Sequence, residues 1–238
     1  MEQGENSSDQ VSELQKKARR WKALFVVIAA VVVVLLSLGV YFYVLVRKNI
    51  EIVNGGADTN QSTIAEVDSP DAPYTGSADS PVVVVEFSDF QCPYCEQAFP
   101  VVRELINFYG DRIKFEYRNF PISESHPDAQ KAAEAGLCAQ NQGKFWELHD
   151  KMFINQSDLS VLALKNYAKE INLDSAKFNT CLDSGAFAQR VQKDFQDGLF
   201  AGVQGTPTFF VNGQILQGVP TFADMQGAID QLLSYYGR

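Results

Sequence analysis

The chain has 238 residues, of which 46% are hydrophobic and 21% charged, a balance typical of a globular protein with a substantial core. Its net charge is −9, and residues 1–48 carry seven basic and four acidic side chains, so that 13 basic and 25 acidic ones remain beyond them. This acidic excess, together with the lack of a basic stripe interleaved with aromatic residues, argues against nucleic-acid binding.

Residues 24–46 form an uncharged and almost entirely apolar run. Its length matches the roughly 20 residues that a helix needs to cross a bilayer, so we predict a single transmembrane helix. Five basic residues stand just before the run and two directly after it. The positive-inside rule therefore places residues 1–23 in the cytoplasm and the rest of the chain outside. A cleavable signal peptide is the alternative, although its apolar core would be shorter.

Residues 47–72 are rich in polar and turn-forming types, which predicts an extracytoplasmic linker. An exported domain lies in a compartment where disulfides persist, and the four cysteines of the chain give an even number for pairing.

An apolar, β-branched run from Pro81 to Gln91 predicts a buried parallel strand that ends at the sequence Cys92-Pro93-Tyr94-Cys95. Proline is tolerated in the first turn of a helix, so the motif should open one that runs to Tyr109. The helix dipole and free N–H groups favour a thiolate at this position. We therefore expect Cys92 to have a lowered pKa and to act as the nucleophile, with Cys95 as the resolving thiol.

Two other uses of a Cys-x-x-Cys pair remain open. A structural zinc site needs about four ligands, and the chain offers no second close pair of cysteines or histidines. An inert disulfide is the other alternative, although such a disulfide usually joins separate elements.

Further elements follow in chain order. Residues 112–118 alternate apolar and charged side chains as a strand does. Helical spacing then continues to about residue 200, which predicts an insert of three or four helices. Residues 208–217 form two short strands joined by Asn212-Gly213, a strong hairpin signal. Thr221 should cap a last helix that ends near Tyr236.

Three separated segments carry a resemblance to a known family: residues 86–95, which end in the cysteine motif, residues 143–149 inside the insert, and residues 205–213. In this order the chain resembles the DsbA-like thiol:disulfide oxidoreductases of the thioredoxin superfamily. The resemblance implies an α/β, thioredoxin-like fold over residues 73–238, with a helical insert at about residues 124–200, preceded here by the single transmembrane helix.

The resemblance also implies roles for individual residues. Cys92 corresponds to the family's nucleophile and Cys95 to its resolving cysteine. Pro207 corresponds to a cis proline that faces the disulfide and is expected to contact the substrate, and Thr206 before it would pair with an extended substrate strand. Pro93 and Tyr94 between the cysteines are expected to contact the substrate. Thr206 could instead be a simple turn residue.

Glu86 lies in an otherwise apolar strand, six residues before Cys92, where the family often has an acidic residue. A buried carboxyl group there should have a raised pKa and could exchange a proton with Cys95. The alternative is a glutamate whose tip reaches solvent. His126 and His149 are expected to have ordinary structural roles.

Cys138 and Cys181 fall in two separate predicted helices of the insert. In an oxidising compartment, a structural disulfide between them is the economical interpretation. Two buried free thiols are the alternative, since cysteine packs well as a small hydrophobic residue.

These observations predict a membrane-tethered, extracytoplasmic enzyme that introduces disulfides into exported proteins with cysteine thiols. The family implies that an integral-membrane, quinone-linked partner reoxidises it, and no cofactor or metal is expected. The strongly oxidising members have Pro-His between their cysteines, whereas this chain has Pro93-Tyr94. A reductase, an isomerase or a non-catalytic peptide-binding module therefore stays open.

Overall fold

A computed structural model describes residues 67–237 and, in isolation, Gly39. The chain divides into two compact units, residues 1–56 and 57–238, and apart from Gly39 the described residues belong to the second. The predicted cytoplasmic tail, the predicted membrane span at 24–46 apart from Gly39, and most of the predicted linker lie outside the described residues. Within the described part of the chain, no helix has the length and apolar character needed to cross a bilayer.

The second unit is built on a five-stranded sheet in the order β1-β3-β2-β4-β5. Strands β2 and β3 run parallel, and the other neighbouring pairs are antiparallel. The strands are β1 (Tyr74–Gly76), β2 (Val83–Ser88), β3 (Lys114–Asn119), β4 (Thr208–Val211) and β5 (Gln214–Gln217).

Seven α-helices lie within the described residues: α1 (Pro93–Tyr109), α2 (Ala129–Gln140), α3 (Phe145–Ile154), α4 (Val161–Glu170), α5 (Ser175–Ser184), α6 (Ala188–Phe200) and α7 (Phe222–Tyr235). Thr221 caps α7 in a reciprocal hydrogen-bonded arrangement with Asp224, as the sequence predicted. The expected strand, cysteine helix, second strand, helical insert, hairpin and final helix therefore all occur in the predicted order.

The insert between β3 and β4 contains five helices, α2 to α6, so the predicted number of three or four was too low. Short turns separate these helices. Gly143, Asn172 and Gly185 have left-handed backbone conformations at φ of 72°, 58° and 66°, which a continuing right-handed helix does not allow. Helical spacing persists across such turns, so periodicity alone joins helices that the backbone separates.

Residues 67–72, the part of the predicted linker that the structure describes, pack against the domain and are here called the N-terminal strap. Val67 is fully buried, and its carbonyl accepts a hydrogen bond of 2.6 Å from Arg118. The Asp68 carboxylate lies 2.6 Å from Lys114 Nζ. The strap thus covers the charged side chains of β3, and all six residues of that strand are buried.

Helices cover both faces of the sheet. Helices α1 and α7 pack on one face around Phe115 and Phe209. Helix α6 approaches the other face so closely that a Cβ atom on Gly198 would lie 2.7 Å from the Phe120 ring. The remaining helices of the insert enclose a second core that reaches Cys92 and Cys95. The cysteine motif therefore lies where the sheet, α1 and the insert meet.

Candidate active site

Cys92 is the residue that caps the N-terminus of α1, in an extended conformation with φ of −76° and ψ of 124°. Its carbonyl accepts the first helical hydrogen bond, from the Glu96 N–H at 3.1 Å. Pro93 follows in the first turn, where the missing N–H group would have no helical partner. The Cys92 sulfur therefore lies at the positive end of the helix dipole.

The segment before β4 brings a second chain segment against Cys92. Strand β4 pairs antiparallel with β2, and the peptide bond between Thr206 and Pro207 just before it is cis. The Cys92 sulfur lies 3.4 Å from the carbonyl oxygen of Thr206. Thr206 and Pro207, which the resemblance assigned to substrate contact, thus lie directly beside the cysteine pair.

The two cysteines have opposite electrostatic environments. A hydrogen bond from Cys95, supported by the Thr206 side chain and by the N–H groups of Cys95 and Tyr94, lowers the pKa of Cys92 from 9.0 to about 5 against the opposing effect of burial. Burial, followed by the effects of Cys92 and the Glu86 carboxyl, raises the pKa of Cys95. At neutral pH, Cys92 is therefore a thiolate and Cys95 a thiol that donates to it.

Glu86 lies on the same side of the sheet as α1 and is buried, with 2% of its surface exposed. Burial raises the pKa of its carboxyl group from 4.5 to about 7, and a hydrogen-bonding interaction with Ser88 opposes the rise. The carboxyl tip does not reach solvent. Glu86 is therefore poised to hold or release a proton near neutral pH, in electrostatic contact with Cys95.

The outer side of the motif is open. Pro93 and Tyr94 are exposed, Tyr94 by 60% of its surface. Ile154 at the end of α3 is 70% exposed. Just beyond it, the Gln156 side chain donates a hydrogen bond of 2.9 Å to the carbonyl of Cys92. The sequence carried no signal for this contact, which links residues 64 positions apart.

The two histidines occupy different positions. His126 Nδ1 lies 2.7 Å from the Asp89 carboxylate, which also accepts the N–H groups of Gln91 and Ile122. His126 thus stabilises the loop that precedes Cys92. His149 is buried among aromatic rings, and burial lowers its pKa.

Cys138 on α2 and Cys181 on α5 are joined by a disulfide, with Cα atoms 6.0 Å apart. It ties two helices of the insert and lies apart from the cysteine motif in the chain. Cys92 and Cys95 are both free thiols in this structure. Among the described residues, no three histidine, cysteine or acidic side chains are grouped as a metal site would require.

Comparison with solved structures places this geometry among known proteins. BdbD from Bacillus subtilis is 27% identical, with a TM-score of 0.61 over 69% of this chain and 94% of that one. A thioredoxin-like oxidoreductase from Silicibacter pomeroyi is 25% identical, with a TM-score of 0.63 over 74% and 97%. The thiol-disulfide exchange protein alpha-DsbA2 from Wolbachia pipientis, at 22% identity, has a TM-score of 0.65 over 74% and 99%, which supports the fold.

Curated relatives include the Na(+)/H(+) antiporter NhaA 3 from Salinispora tropica, 40% identical over 154 residues, which are 65% of this chain and 24% of that protein. A Herminiimonas arsenicoxydans antiporter is 38% identical over 143 residues, 60% of this chain and 22% of that one. The chain thus spans about a quarter of the length of the curated relatives it matches.

The family described as Thioredoxin matches residues 68–231, which is more than two thirds of the chain and nearly all of the described unit. The match includes the cysteine motif, the complete insert and the segment with the cis proline. Together with the structural neighbours, it explains why the sheet, α1 and β4 converge on one cysteine pair. The chain belongs to the thioredoxin family and has the DsbA-type fold, in which a helical insert interrupts the thioredoxin-like sheet.

Proposed function

We propose that this protein is a thiol:disulfide oxidoreductase that introduces disulfides into exported proteins from a membrane-tethered position. The observation that carries the proposal is the contrast between Cys92, which is stabilised as a thiolate, and Cys95, which is held as a thiol directly behind it. Thiol–disulfide exchange needs one attacking or leaving thiolate and one resolving thiol. Two structural neighbours, a thioredoxin-like oxidoreductase and a thiol-disulfide exchange protein, carry out the same class of chemistry.

In the oxidising direction, a substrate thiolate attacks the sulfur of Cys92 in the Cys92–Cys95 disulfide. Cys95 leaves with the bonding electron pair and takes up a proton, for which Glu86 is the nearby acid. The second thiol of the substrate, as a thiolate, then attacks the substrate sulfur that is bonded to Cys92 in the mixed disulfide. Cys92 leaves as a stable thiolate, so that the substrate is oxidised by two electrons and the enzyme is reduced by two.

Thr206 and Pro207 supply the surface that positions the substrate. The substrate strand would pair with the backbone at Thr206, which places its sulfur over Cys92. Tyr94 and Pro93 flank this position and are exposed, so that they can contact residues next to the substrate cysteine. These contacts are consistent with a protein substrate in an extended conformation.

Stabilisation of the Cys92 thiolate favours the oxidising direction over a reductase. A pKa of about 5 instead of 9.0 stabilises the reduced form at pH 7 by about a hundredfold. For a two-electron couple this factor corresponds to a potential about 60 mV more oxidising. A tyrosine in place of histidine between the cysteines therefore does not remove the stabilisation, since Cys95 and backbone N–H groups supply it.

The remaining parts of the proposal concern location and partners. The apolar run at 24–46 and its flanking charges support an anchor that holds the domain outside the cell membrane, with residues 1–23 in the cytoplasm. An enzyme that leaves each cycle reduced needs an oxidant, and a quinone-linked membrane protein is the partner that the family suggests. Fusing a reporter to each end of the full chain in cells would test the orientation.

The function is tested by measuring the reduction potential and disulfide exchange of the full chain. We expect a potential near the oxidising end of the family range, around −120 mV, and transfer of the disulfide to a reduced test protein. A potential near about −270 mV would contradict the oxidase proposal and identify a reductase. Cys92→Ser should abolish transfer, whereas removal of the Cys138–Cys181 pair is the matched control and should preserve it.

A further inference from the structure

Four polar side chains face one another behind the active-site cysteines. Glu86 and Ser88 lie two residues apart on β2 and therefore share one face of that strand. Tyr117 on the parallel strand β3 is in register with Glu86, so it lies on the same face of the sheet. Cys95 and Tyr117 are members of one buried core. The backbone thus gathers a carboxyl, two hydroxyls and a thiol in one place.

Three of these groups lack partners. Glu86 Oε2, Ser88 Oγ and Tyr117 Oη each form no complete hydrogen bond within the described structure. All three residues are at least 98% buried. An unpartnered buried polar group lowers the free energy of unfolding by on the order of 1–3 kcal/mol, so three such groups together destabilise the fold substantially. A catalytic use of Glu86 and Ser88 would account for the part of this cost that these two residues carry.

Ser88 is a neighbour of each of the other three groups. The N–H of Asp89, the next residue, donates a hydrogen bond of 3.5 Å to the Cys95 sulfur, so Ser88 lies beside that thiol. The Ser88 hydroxyl is near enough to Glu86, Cys95 and Tyr117 to lower the pKa of each. Glu86 acts on Cys95 and on Tyr117 through its charge. Among the described residues, Ser88 is therefore the hydroxyl placed to interact with both the carboxyl group and the resolving thiol.

We propose that the Ser88 hydroxyl carries the proton between the Cys95 thiol and the Glu86 carboxylate. A serine hydroxyl has one donor hydrogen and two acceptor positions, so it can receive a proton from one neighbour as it gives its own to the other. The inference rests on the proposed thiol–disulfide exchange and adds the route by which the buried thiol is ionised.

The step can be written for a mixed disulfide between Cys92 and a substrate. The Cys95 thiol gives its proton to Ser88, and Ser88 gives its own proton to the Glu86 carboxylate. The Cys95 thiolate then attacks the Cys92 sulfur, a Cys92–Cys95 bond forms, and the substrate leaves as a thiolate with the bonding electron pair. In the opposite direction the proton returns from Glu86 through Ser88 to Cys95.

The experiment mixes the reduced full chain with 5,5′-dithiobis(2-nitrobenzoate) and follows release of the coloured thiolate. Attack by Cys92 releases one equivalent, and resolution by Cys95 releases the second. We expect Ser88→Ala to leave the first phase unchanged and to slow the second about tenfold. Tyr117→Phe, which removes the neighbouring hydroxyl outside the proposed path, is the matched control and should change neither phase more than about twofold.

The pH dependence separates proton transfer from a structural effect. In the unmodified protein, the second phase should rise with pH and level off above the Glu86 pKa of about 7. In Ser88→Ala, the proton of the Cys95 thiol must leave without the relay. The rate of the second phase should therefore continue to rise with hydroxide concentration above pH of about 7. Equal slowing of both phases, an unchanged second phase, or equal slowing by Tyr117→Phe would overturn the proposal.

A measurement on the unmodified chain keeps the proposal testable if Ser88→Ala does not fold. Relay through a hydroxyl moves two protons, so the second-phase rate in mixtures of light and heavy water should depend on the deuterium fraction with curvature. A linear dependence would contradict the relay. Failure of the proposed function has a different signature, because the first phase would then persist in Cys92→Ser.

Discussion

Replacing Cys95 with alanine should raise the pKa of Cys92, because the hydrogen bond from Cys95 is the largest influence that lowers it. A hydrogen bond to a charged group contributes about 1.5–3 kcal/mol. One pKa unit corresponds to about 1.4 kcal/mol, so the loss should raise the Cys92 pKa by about one to two units. At pH 6, the thiolate fraction would then fall from about nine tenths to between about a half and a tenth.

Cys95→Ser is the matched control, since its hydroxyl can still donate to the Cys92 thiolate. Alkylation of Cys92 with iodoacetamide, measured as a function of pH, reports the pKa in each variant. We expect alanine to shift the alkylation profile to higher pH and serine to leave it near that of the unmodified protein. If both variants keep the original profile, then the backbone N–H groups and helix dipole hold the thiolate, and the reasoning from Cys95 is refuted.

Three further predictions concern stability. Glu86 keeps its proton up to pH of about 7 when folded but only to about 4.5 when unfolded, so its contribution to stability is lost as pH rises through that window. Between pH 4 and 8, the free energy of unfolding of Glu86→Gln, measured by urea titration, should therefore rise by about 3 kcal/mol relative to that of the unmodified protein. A difference that stays constant over this range would contradict burial of the carboxyl group. Arg118→Met should lower the free energy of unfolding by about 3–5 kcal/mol, because it leaves the fully buried Asp194 carboxylate without its partner at 2.9 Å. The control is Lys165→Met, which removes a more exposed ion pair with Asp183 and should lower the free energy of unfolding by under about 1 kcal/mol. Cys138 and Cys181 should stay linked in mass maps after mild reduction of Cys92–Cys95, and alkylation of either in unreduced protein would contradict the linkage. Replacing both with alanine should lower the free energy of unfolding by about 4 kcal/mol, because the two cysteines are 43 positions apart in the chain.

The elements that the sequence predicted best are those with a strong local pattern. An apolar run specified β2, Pro93 marked the start of α1, and Asn212-Gly213 marked the hairpin between β4 and β5. In each case a local backbone preference agrees with the tertiary structure. The three residues of β1 were missed, because a strand of this length has no measurable alternation.

The surroundings of the cysteines depend on contacts between distant residues, which periodicity does not reveal. The sequence singled out Cys92, Cys95, Glu86 and Thr206, but not that Ser88 lies between a carboxyl and a thiol. The charged residues of β3 have the alternation of a half-exposed strand, yet the N-terminal strap and α6 cover them with opposite charges. Which side chains meet across the sheet is decided by packing.

The burial of Cys95 beneath Cys92 also determines how this site responds to oxidative damage. Cys95 has no exposed surface, whereas Cys92 retains 3% and is the thiolate, so peroxide should react with Cys92 first. The sulfenic acid formed there lies next to a thiol that can condense with it, releasing water and closing the Cys92–Cys95 disulfide. Damage by peroxide thus gives the same oxidised pair as the catalytic cycle, and mass spectrometry should find irreversible sulfinic acid at Cys92 only after Cys95 is replaced.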